Sequence, residues 1–189
     1  VIVRTTLIDS TAQSPRVNIV AGYFVITYVN TIPALKYMAI PINNPFNPGP
    51  AVSISTQVSA ATAAYDCAVC DQVLALAWNG NDVGGAIRRT LLTRTNIAAN
   101  TATSSSAKAL FSADRMSVSV DPVSFNIFHL WYNAGGSTLI VNIFSAGGTE
   151  LLAQQVIETS VTVNVLTAYA ASNVLNYYFE NLNAYSFGA

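Results

Sequence analysis

The residues of this chain that could carry out chemistry are few and lie far apart. There is a single histidine, His129, there are two cysteines, Cys67 and Cys70, and nine acidic residues are spread over 189 positions. Ser-His-Asp catalysis would have to use His129, which lies in the apolar run 124–132. A histidine in such a run is typical of a packed, hydrogen-bonded residue. We therefore expect His129 to be structural.

The two cysteines form the sequence CAVC, with Cys67 and Cys70 at its ends. A thioredoxin-like redox site needs this spacing at the start of a helix in a βαβ unit, and no such unit surrounds it. A structural zinc site needs four ligands, and His129 could add only one to the two thiols. We expect two structural thiols and neither a metal nor a redox centre.

The acidic residues could supply paired carboxylates for glycoside hydrolysis, but they are scattered along the chain. Asp66 and Asp71 flank CAVC, where a solvated helix end explains them equally well. The stretch NGNDVGG, residues 79–85, matches part of a calcium loop but lacks the closing glutamate, so a plain turn is favoured. The sequence thus predicts a protein that is not an enzyme and that binds no cofactor.

The composition excludes further classes of function. Charged residues make up 9% of the chain and the formal net charge is -1, whereas soluble domains average about 25% charged residues. Such a chain has no electrostatic drive toward nucleic acid or acidic membranes, and no apolar run approaches the ~18 residues of a transmembrane helix. A neutral surface gives little colloidal repulsion, which favours either association with copies of itself or work outside the cell at low concentration.

The elements that must position these residues are mostly strands. Alternating, β-branched and aromatic segments predict strands at 16–29, 116–120, 124–132, 137–144 and 160–169. The tripeptide Ala-Gly-Gly occurs at 134–136 and at 146–148, and glycine supplies the positive φ of tight turns. We therefore expect a three-stranded antiparallel meander over 124–158.

Other segments predict loops, an arm and one helix. Four prolines in 40–50 predict an irregular loop, 96–109 a long surface loop, and 1–15 an extended N-terminal arm. The alanine-rich segment 56–70 is the best helix candidate. The sequence shows no internal repeat long enough for a solenoid and no linker that splits the chain, which predicts a single domain over 1–189.

This pattern predicts an all-β fold, namely an antiparallel β-sandwich with at most one or two short helices. An eight-stranded jelly roll with long loops is the favoured form. An immunoglobulin-like sandwich is disfavoured because Cys67 and Cys70 are too close in sequence to bridge two sheets.

Aromatic residues are concentrated at the end of the chain, in 176–189. Aromatic side chains interleaved with asparagine make good contact surfaces, although they also alternate in ordinary strands. We expect this tail to form a subunit contact, with the following residues as its candidates: Tyr177, Tyr178, Phe179, Tyr185 and Phe187.

The strand-rich layout, the loop INNPFNPGP, the alanine-rich segment before DQVLALAW and the neutral surface resemble the single jelly-roll capsid proteins of small icosahedral viruses. The resemblance covers most of the chain and is one of layout and composition. Many such coat proteins carry a basic arm that binds the genome, and this chain has none. The resemblance implies a self-assembling capsid or projection subunit of the virion. Its partners would be copies of itself, other capsid proteins and a host receptor or glycan, without strong nucleic-acid binding or membrane insertion.

An alternative resemblance comes from the ending NAYSFGA, which is similar to the last strand of trimeric tumour-necrosis-factor or C1q-like domains. It implies a trimeric receptor- or glycan-binding head domain, extracellular or on a phage spike or fibre. A secreted β-sandwich hydrolase is a third hypothesis, which the single histidine and the scattered acids disfavour.

Overall fold

The computed structural model describes residues 9–32, 34–59, 65–80, 87–102, 106–109, 113–181 and 184–188. Within these ranges the chain forms fifteen strands and one α-helix, α1 (Arg94–Ala99). The strands are β1 (Ala12–Val20), β2 (Tyr23–Asn30), β3 (Leu35–Pro41), β4 (Val52–Ser55), β5 (Tyr65–Cys70), β6 (Val73–Asn79), β7 (Ile87–Leu92), β8 (Ser106–Ala109), β9 (Arg115–Val120), β10 (Ile127–Asn133), β11 (Thr138–Phe144), β12 (Glu150–Thr159), β13 (Val165–Ala171), β14 (Val174–Asn181) and β15 (Ala184–Gly188).

The strands form four antiparallel sheets, and in each sheet the neighbours follow one another along the chain. Sheet A contains β1 to β4, sheet B β5 to β8, sheet C β9 to β12, and sheet D β13 to β15. The predicted all-β antiparallel fold and the meander over 124–158 are thereby confirmed. A jelly roll places strands distant in sequence side by side, and none of the described strands is paired in that way.

The helix predicted over 56–70 is wrong where the structure describes its second half. Residues 65–70 form β5, which pairs with β6 along its whole length, and Tyr65 is buried in the core. Pairing and burial therefore outweigh the helix preference of alanine, which amounts to tenths of a kcal/mol per residue. Residues 60–64 of the prediction lie outside the described residues.

The long surface loop predicted over 96–109 is also corrected. Thr93 caps α1 in a capping box with Asn96, and Asn100 ends the helix in the left-handed conformation at φ 53°. The buried side chain of Ile97 anchors this helix in the core. Ser106–Ala109 then add a fourth strand to sheet B.

Both Ala-Gly-Gly segments are turns, as predicted, but they use glycine differently. Ala134–Gly136 form a 3-10 turn, after which the positive φ falls on Ser137, at 49°. In the second turn Gly148 itself has φ 85°, the region that glycine adopts without steric cost.

The four sheets pack face to face in the order A, B, C, D, and four apolar clusters of described residues lie between them, two of which are between B and C. Sheets B and C are therefore covered on both faces, whereas sheets A and D are each packed against only one other sheet among the described residues. The clusters contain Val25, Val29, Leu35, Leu74, Leu76 and Trp78 between A and B; Ala75, Ala77, Val118, Ile127 and Phe144 between B and C; and Phe128, Leu130, Tyr132, Ala170 and Phe179 between C and D.

The four sheets are four versions of one unit, a structural repeat that the sequence pattern did not reveal. Each unit starts with a hairpin, and the second strand of each hairpin buries one aromatic side chain. These side chains are Tyr28, Trp78, Trp131 and Phe179, at 0%, 0%, 2% and 2% exposure. They recur about every 50 residues, which is within the range of four-stranded repeat units.

The predicted N-terminal arm overlaps the first unit. Residues 12–15 belong to β1, and Ala12 and Gln13 pair with β2 before the register shifts ahead of Arg16. Residues 1–8 lie outside the described residues.

Candidate functional site

The first strands of the four units, β1, β5, β9 and β13, are joined across the sheet boundaries by polar contacts. Arg16 Nη1 of β1 lies 3.0 Å from Asp66 Oδ1 of β5. The other carboxylate oxygen of Asp66 accepts a hydrogen bond of 2.8 Å from the backbone N–H of Val118 in β9. One carboxylate therefore links sheets A, B and C.

The same type of contact continues from β9 to β13. Ser117 Oγ accepts from the backbone N–H of Ala168 at 3.1 Å, and Ser119 Oγ accepts from that of Ala170 at 2.8 Å. Because a step of two residues on one strand matches a step of two on the other, β9 and β13 run parallel here. These bonds fix the register between successive units.

Asp66 is a structural carboxylate rather than a reactive group. Burial raises the pKa of its carboxyl, against the lowering effects of the Val118 N–H and of Arg16. The groups that contact it include backbone N–H groups, the Ser117 hydroxyl and a half-exposed guanidinium. The arrangement holds the first strands of sheets A, B and C together.

His129 lies in β10 at 5% exposure, and its ring centroid is 5.0 Å from that of Phe144 in an edge-on arrangement. Burial, and then the positive charge of Arg89, lower the pKa of His129 to about 3. The imidazole is thus neutral at physiological pH and shielded from solvent. Its predicted structural role fits this position.

Arg89 joins sheets B and C beside this histidine. Its guanidinium lies 3.7 Å from the ring centroid of Phe144 and donates a hydrogen bond of 2.7 Å to the carbonyl oxygen of Gly148. Burial lowers the pKa of this guanidinium, and the carboxylate of Glu150 opposes that shift. The Arg89 guanidinium therefore stabilises the packing of sheet B on sheet C.

Both cysteines are free thiols, and they lie on opposite faces of β5. Cys67 packs toward the cluster between sheets A and B and accepts from Asn18 Nδ2 at 3.3 Å. Cys70 lies in the cluster between sheets B and C and donates to the carbonyl oxygen of Phe125 at 3.2 Å. Burial raises the pKa of both thiols, so neither is poised as a thiolate nucleophile.

The remaining candidates from the acidic residues do not converge. Asp121 accepts from the backbone N–H groups of Ser124 and Asn173 at 3.1 Å each, which ties two turns together. The Ser124 hydroxyl is the main cause of its lowered pKa. Within the described ranges no three His, Cys, Asp or Glu residues are grouped as metal ligands. Most of the candidate turn 79–85 lies outside those ranges.

The predicted contact tail splits into two groups. Tyr177 and Phe179 face sheet C: the Tyr177 hydroxyl donates to Glu158 Oε1 at 2.8 Å, and the Phe179 ring is 2% exposed in the core. Phe179 therefore packs within its own chain, between sheets C and D. Tyr178 points to the other face of sheet D, while Tyr185 and Phe187 lie in β15 opposite Glu180 and Tyr178.

Sheet A has an apolar outer face, the one that points away from sheet B. We call it the leading face and define it by these residues: Val17, Ile19, Phe24, Ile26 and Ile40. Val17 and Ile19 are 62% and 61% exposed, whereas Tyr28 and Met38 on the same face are buried. The sequence predicted a strand at 16–29 but not this exposed face. The alternation of apolar residues at 17 and 19 was the available signal.

Sheet D has the complementary free surface at the other end of the stack. We call it the trailing face and define it by these residues: Val165, Thr167, Tyr169, Val174 and Tyr178. Val165, Tyr169 and Val174 are 46%, 62% and 46% exposed. Tyr178 is the member of this face that the sequence predicted as a contact residue.

An open apolar groove between sheets C and D is a weaker candidate. Its volume is about 480 Å³. Its walls are mostly aliphatic, and they include Ile143, Ile157 and Leu175 with the ring of Tyr177. No acidic or basic residue lines the groove, so it has no charged side chain that could take part in catalysis.

No protein-family model and no curated protein matches the chain. In the part of the chain that the structure describes, no helix combines the length and the apolar character needed to cross a bilayer. Functional inference therefore depends on the geometry of the two end faces.

Proposed function

We propose that the chain is a structural subunit that assembles with copies of itself and has no catalytic function. The observation that carries this proposal is the leading face, where Val17 and Ile19 are more than half exposed beside Phe24 and Ile26. A contiguous apolar surface of this kind marks a protein contact in soluble proteins. A single exposed apolar side chain would not.

The charge distribution supports the same proposal. Eight basic and nine acidic residues in 189 leave long stretches of surface without charge, and the centres of protein interfaces are depleted in charged residues. The trailing face adds exposed tyrosine, a residue enriched in interfaces. Contacts of this type bury apolar area and need no opposite charges, so they persist at high salt.

The proposed setting is a virus particle, as the sequence resemblance implies. In that setting the chain is a capsid or projection subunit of the virion, with copies of itself and other capsid proteins as partners. The role does not require jelly-roll strand order, because the end faces of the sheet stack provide the contacts. The alternative is a trimeric receptor- or glycan-binding head domain.

The test is the mass of the purified chain in solution. We expect light scattering at micromolar concentration to give a discrete assembly heavier than the 20.0 kDa monomer, unchanged when the salt concentration is raised to about 1 M. A trimer would favour the head domain over the particle subunit. A stable monomer at these concentrations would contradict self-assembly.

A further inference from the structure

Successive sheets contact each other at three boundaries within the chain, A–B, B–C and C–D. At each boundary the same side of the later sheet faces the sheet before it. In every second strand of a unit, side chains that face the preceding sheet alternate with side chains that face the following one. Those that face the preceding sheet are Leu74, Leu76 and Trp78 in β6; Ile127 and Trp131 in β10; and Leu175, Tyr177 and Phe179 in β14. Sheets A to D therefore stack head to tail, like the blades of a propeller.

Among the described residues, one face that would receive a preceding sheet and one face that would receive a following sheet therefore have no partner sheet. The leading face of sheet A is the side on which a preceding sheet would pack. The trailing face of sheet D is the side on which a following sheet would pack. The two free faces are therefore complementary to each other rather than to themselves.

We infer that the trailing face of sheet D packs on the leading face of sheet A in a second copy of the chain. Two copies joined in this way at both ends form a closed ring of eight sheets, four from each chain. Propellers contain about four to eight blades, so a third copy would exceed the range of closed rings. This inference rests on the proposed self-assembly and names its interface.

Thr167 supports the head-to-tail pairing. Counting back from the hairpin turn, Asp66, Ser117 and Thr167 occupy the same place in β5, β9 and β13. Asp66 and Ser117 each accept a backbone N–H from the next unit, that of Val118 and that of Ala168. Thr167 is exposed, and no unit follows it among the described residues.

The equivalent donor lies at the other end of the stack. Val17 occupies the place in β1 that Val118 and Ala168 occupy in β9 and β13. The next bond of the series therefore runs from the Val17 N–H of one copy to the Thr167 hydroxyl of the other. It would repeat a hydrogen bond already present at two sheet boundaries.

Single substitutions on each face test the inference in the full chain. We expect Ile19→Glu on the leading face and Tyr169→Glu on the trailing face each to convert a two-copy assembly, twice 20.0 kDa, into monomer. Both side chains are exposed within the chain, so the fold should be retained, which circular dichroism checks. Val123→Glu, at a side chain 73% exposed outside both faces, is the matched control and should remain a dimer.

Mixing separates a head-to-tail contact from a symmetric one. The Ile19→Glu chain keeps an intact trailing face and the Tyr169→Glu chain an intact leading face, so an equimolar mixture should regain a dimer that neither variant forms alone. Assembly that survives both substitutions would overturn this interface and leave the proposed self-assembly standing. A monomeric unmodified chain would overturn both.

The inter-copy hydrogen bond has its own test. Thr167→Val keeps the size of the side chain and removes the acceptor, so we expect about fivefold weaker association, as for one lost neutral hydrogen bond. Thr162→Val, at an exposed threonine outside the trailing face, should leave the dissociation constant unchanged. Equal effects of the two substitutions would contradict the assigned bond.

Discussion

Sheets B and D are both antiparallel meanders, but sheet B is covered by another sheet on each face, whereas sheet D is covered on one face only among the described residues. In β6, all side chains from Leu74 to Asn79 are buried, because sheet A lies on one face and sheet C on the other. In β14, Phe179 is buried while Val174, on the opposite face, is 46% exposed. The sequences follow this difference: VLALAWN is almost continuously apolar, whereas VLNYYFEN carries Asn176 and Glu180 on its open face. Coverage by neighbouring sheets, rather than strand formation, therefore sets the pattern.

The largest effect should come from the doubly covered sheet. Trp78→Ala removes a fully buried indole, whose Nε1 donates to the carbonyl oxygen of Gln57 at 3.0 Å. We expect the free energy of unfolding to fall by about 3–5 kcal/mol, measured by urea denaturation. Tyr169→Ala on the open face of sheet D should change it by less than about 0.5 kcal/mol. Both are measured in the Ile19→Glu background, so that assembly does not contribute. Equal losses would remove the distinction between the two sheets.

Acid should weaken a covered boundary and leave the open face unaffected, because the only histidine, His129, lies between covered sheets. Its pKa is about 3 in the folded chain, against about 6.5 when unfolded. Below pH 6.5 the histidine of the unfolded chain binds a proton, whereas His129 in the folded chain stays neutral down to about pH 3. The free energy of unfolding should therefore fall by about 1.4 kcal/mol per pH unit from 6.5 downward.

His129→Gln is the matched variant for this pH dependence. Between pH 6.5 and about 5, its free energy of unfolding should lack the slope that His129 contributes, whatever the substitution costs at pH 7. Any contribution of the buried Asp66 carboxyl is common to both proteins. Parallel slopes for the two proteins in this window would show that His129 is accessible to protons in the folded state.

The smallest effect should come from the bonds between first strands. Ser119→Ala leaves the buried N–H of Ala170 without its acceptor, and we expect a loss of about 1–2 kcal/mol. Ser53→Ala, at an exposed position of β4, is the control and should be close to neutral. If the two serine variants show the same melting temperature, the hydrogen bond between β9 and β13 does not contribute to the stability of the boundary between sheets C and D.

The strands themselves could be predicted from sequence because alternation and turn residues are local properties. The segments 116–120, 124–132 and 137–144 fall on β9, β10 and β11. The segment 65–70 could not be assigned correctly, because its strand conformation depends on pairing with β6 and on the burial of Tyr65. Alanine content alone favoured the helix.

The repeat was hidden because its units share burial rather than identity. Tyr28, Trp78, Trp131 and Phe179 are different aromatic residues at one structural position. The hairpin turns also differ in length, with Ala21 and Gly22 in the first unit and residues 121–126 in the third. The two end faces were hidden for a related reason. Whether Val17 or Phe179 is exposed depends on which sheets stack next to it, and the local sequence pattern does not contain this information.

The consecutive order of the strands also determines how the chain reaches this structure. Every described strand pairs only with its neighbours along the chain, so each hairpin closes a short loop at small entropic cost. Such local contacts speed folding compared with β folds that join distant segments. Each unit can form its own sheet before the sheets stack, and growth can start from any unit. For the same reason, insertion or deletion of one whole unit would change the length of the stack and preserve the pairing within every other sheet.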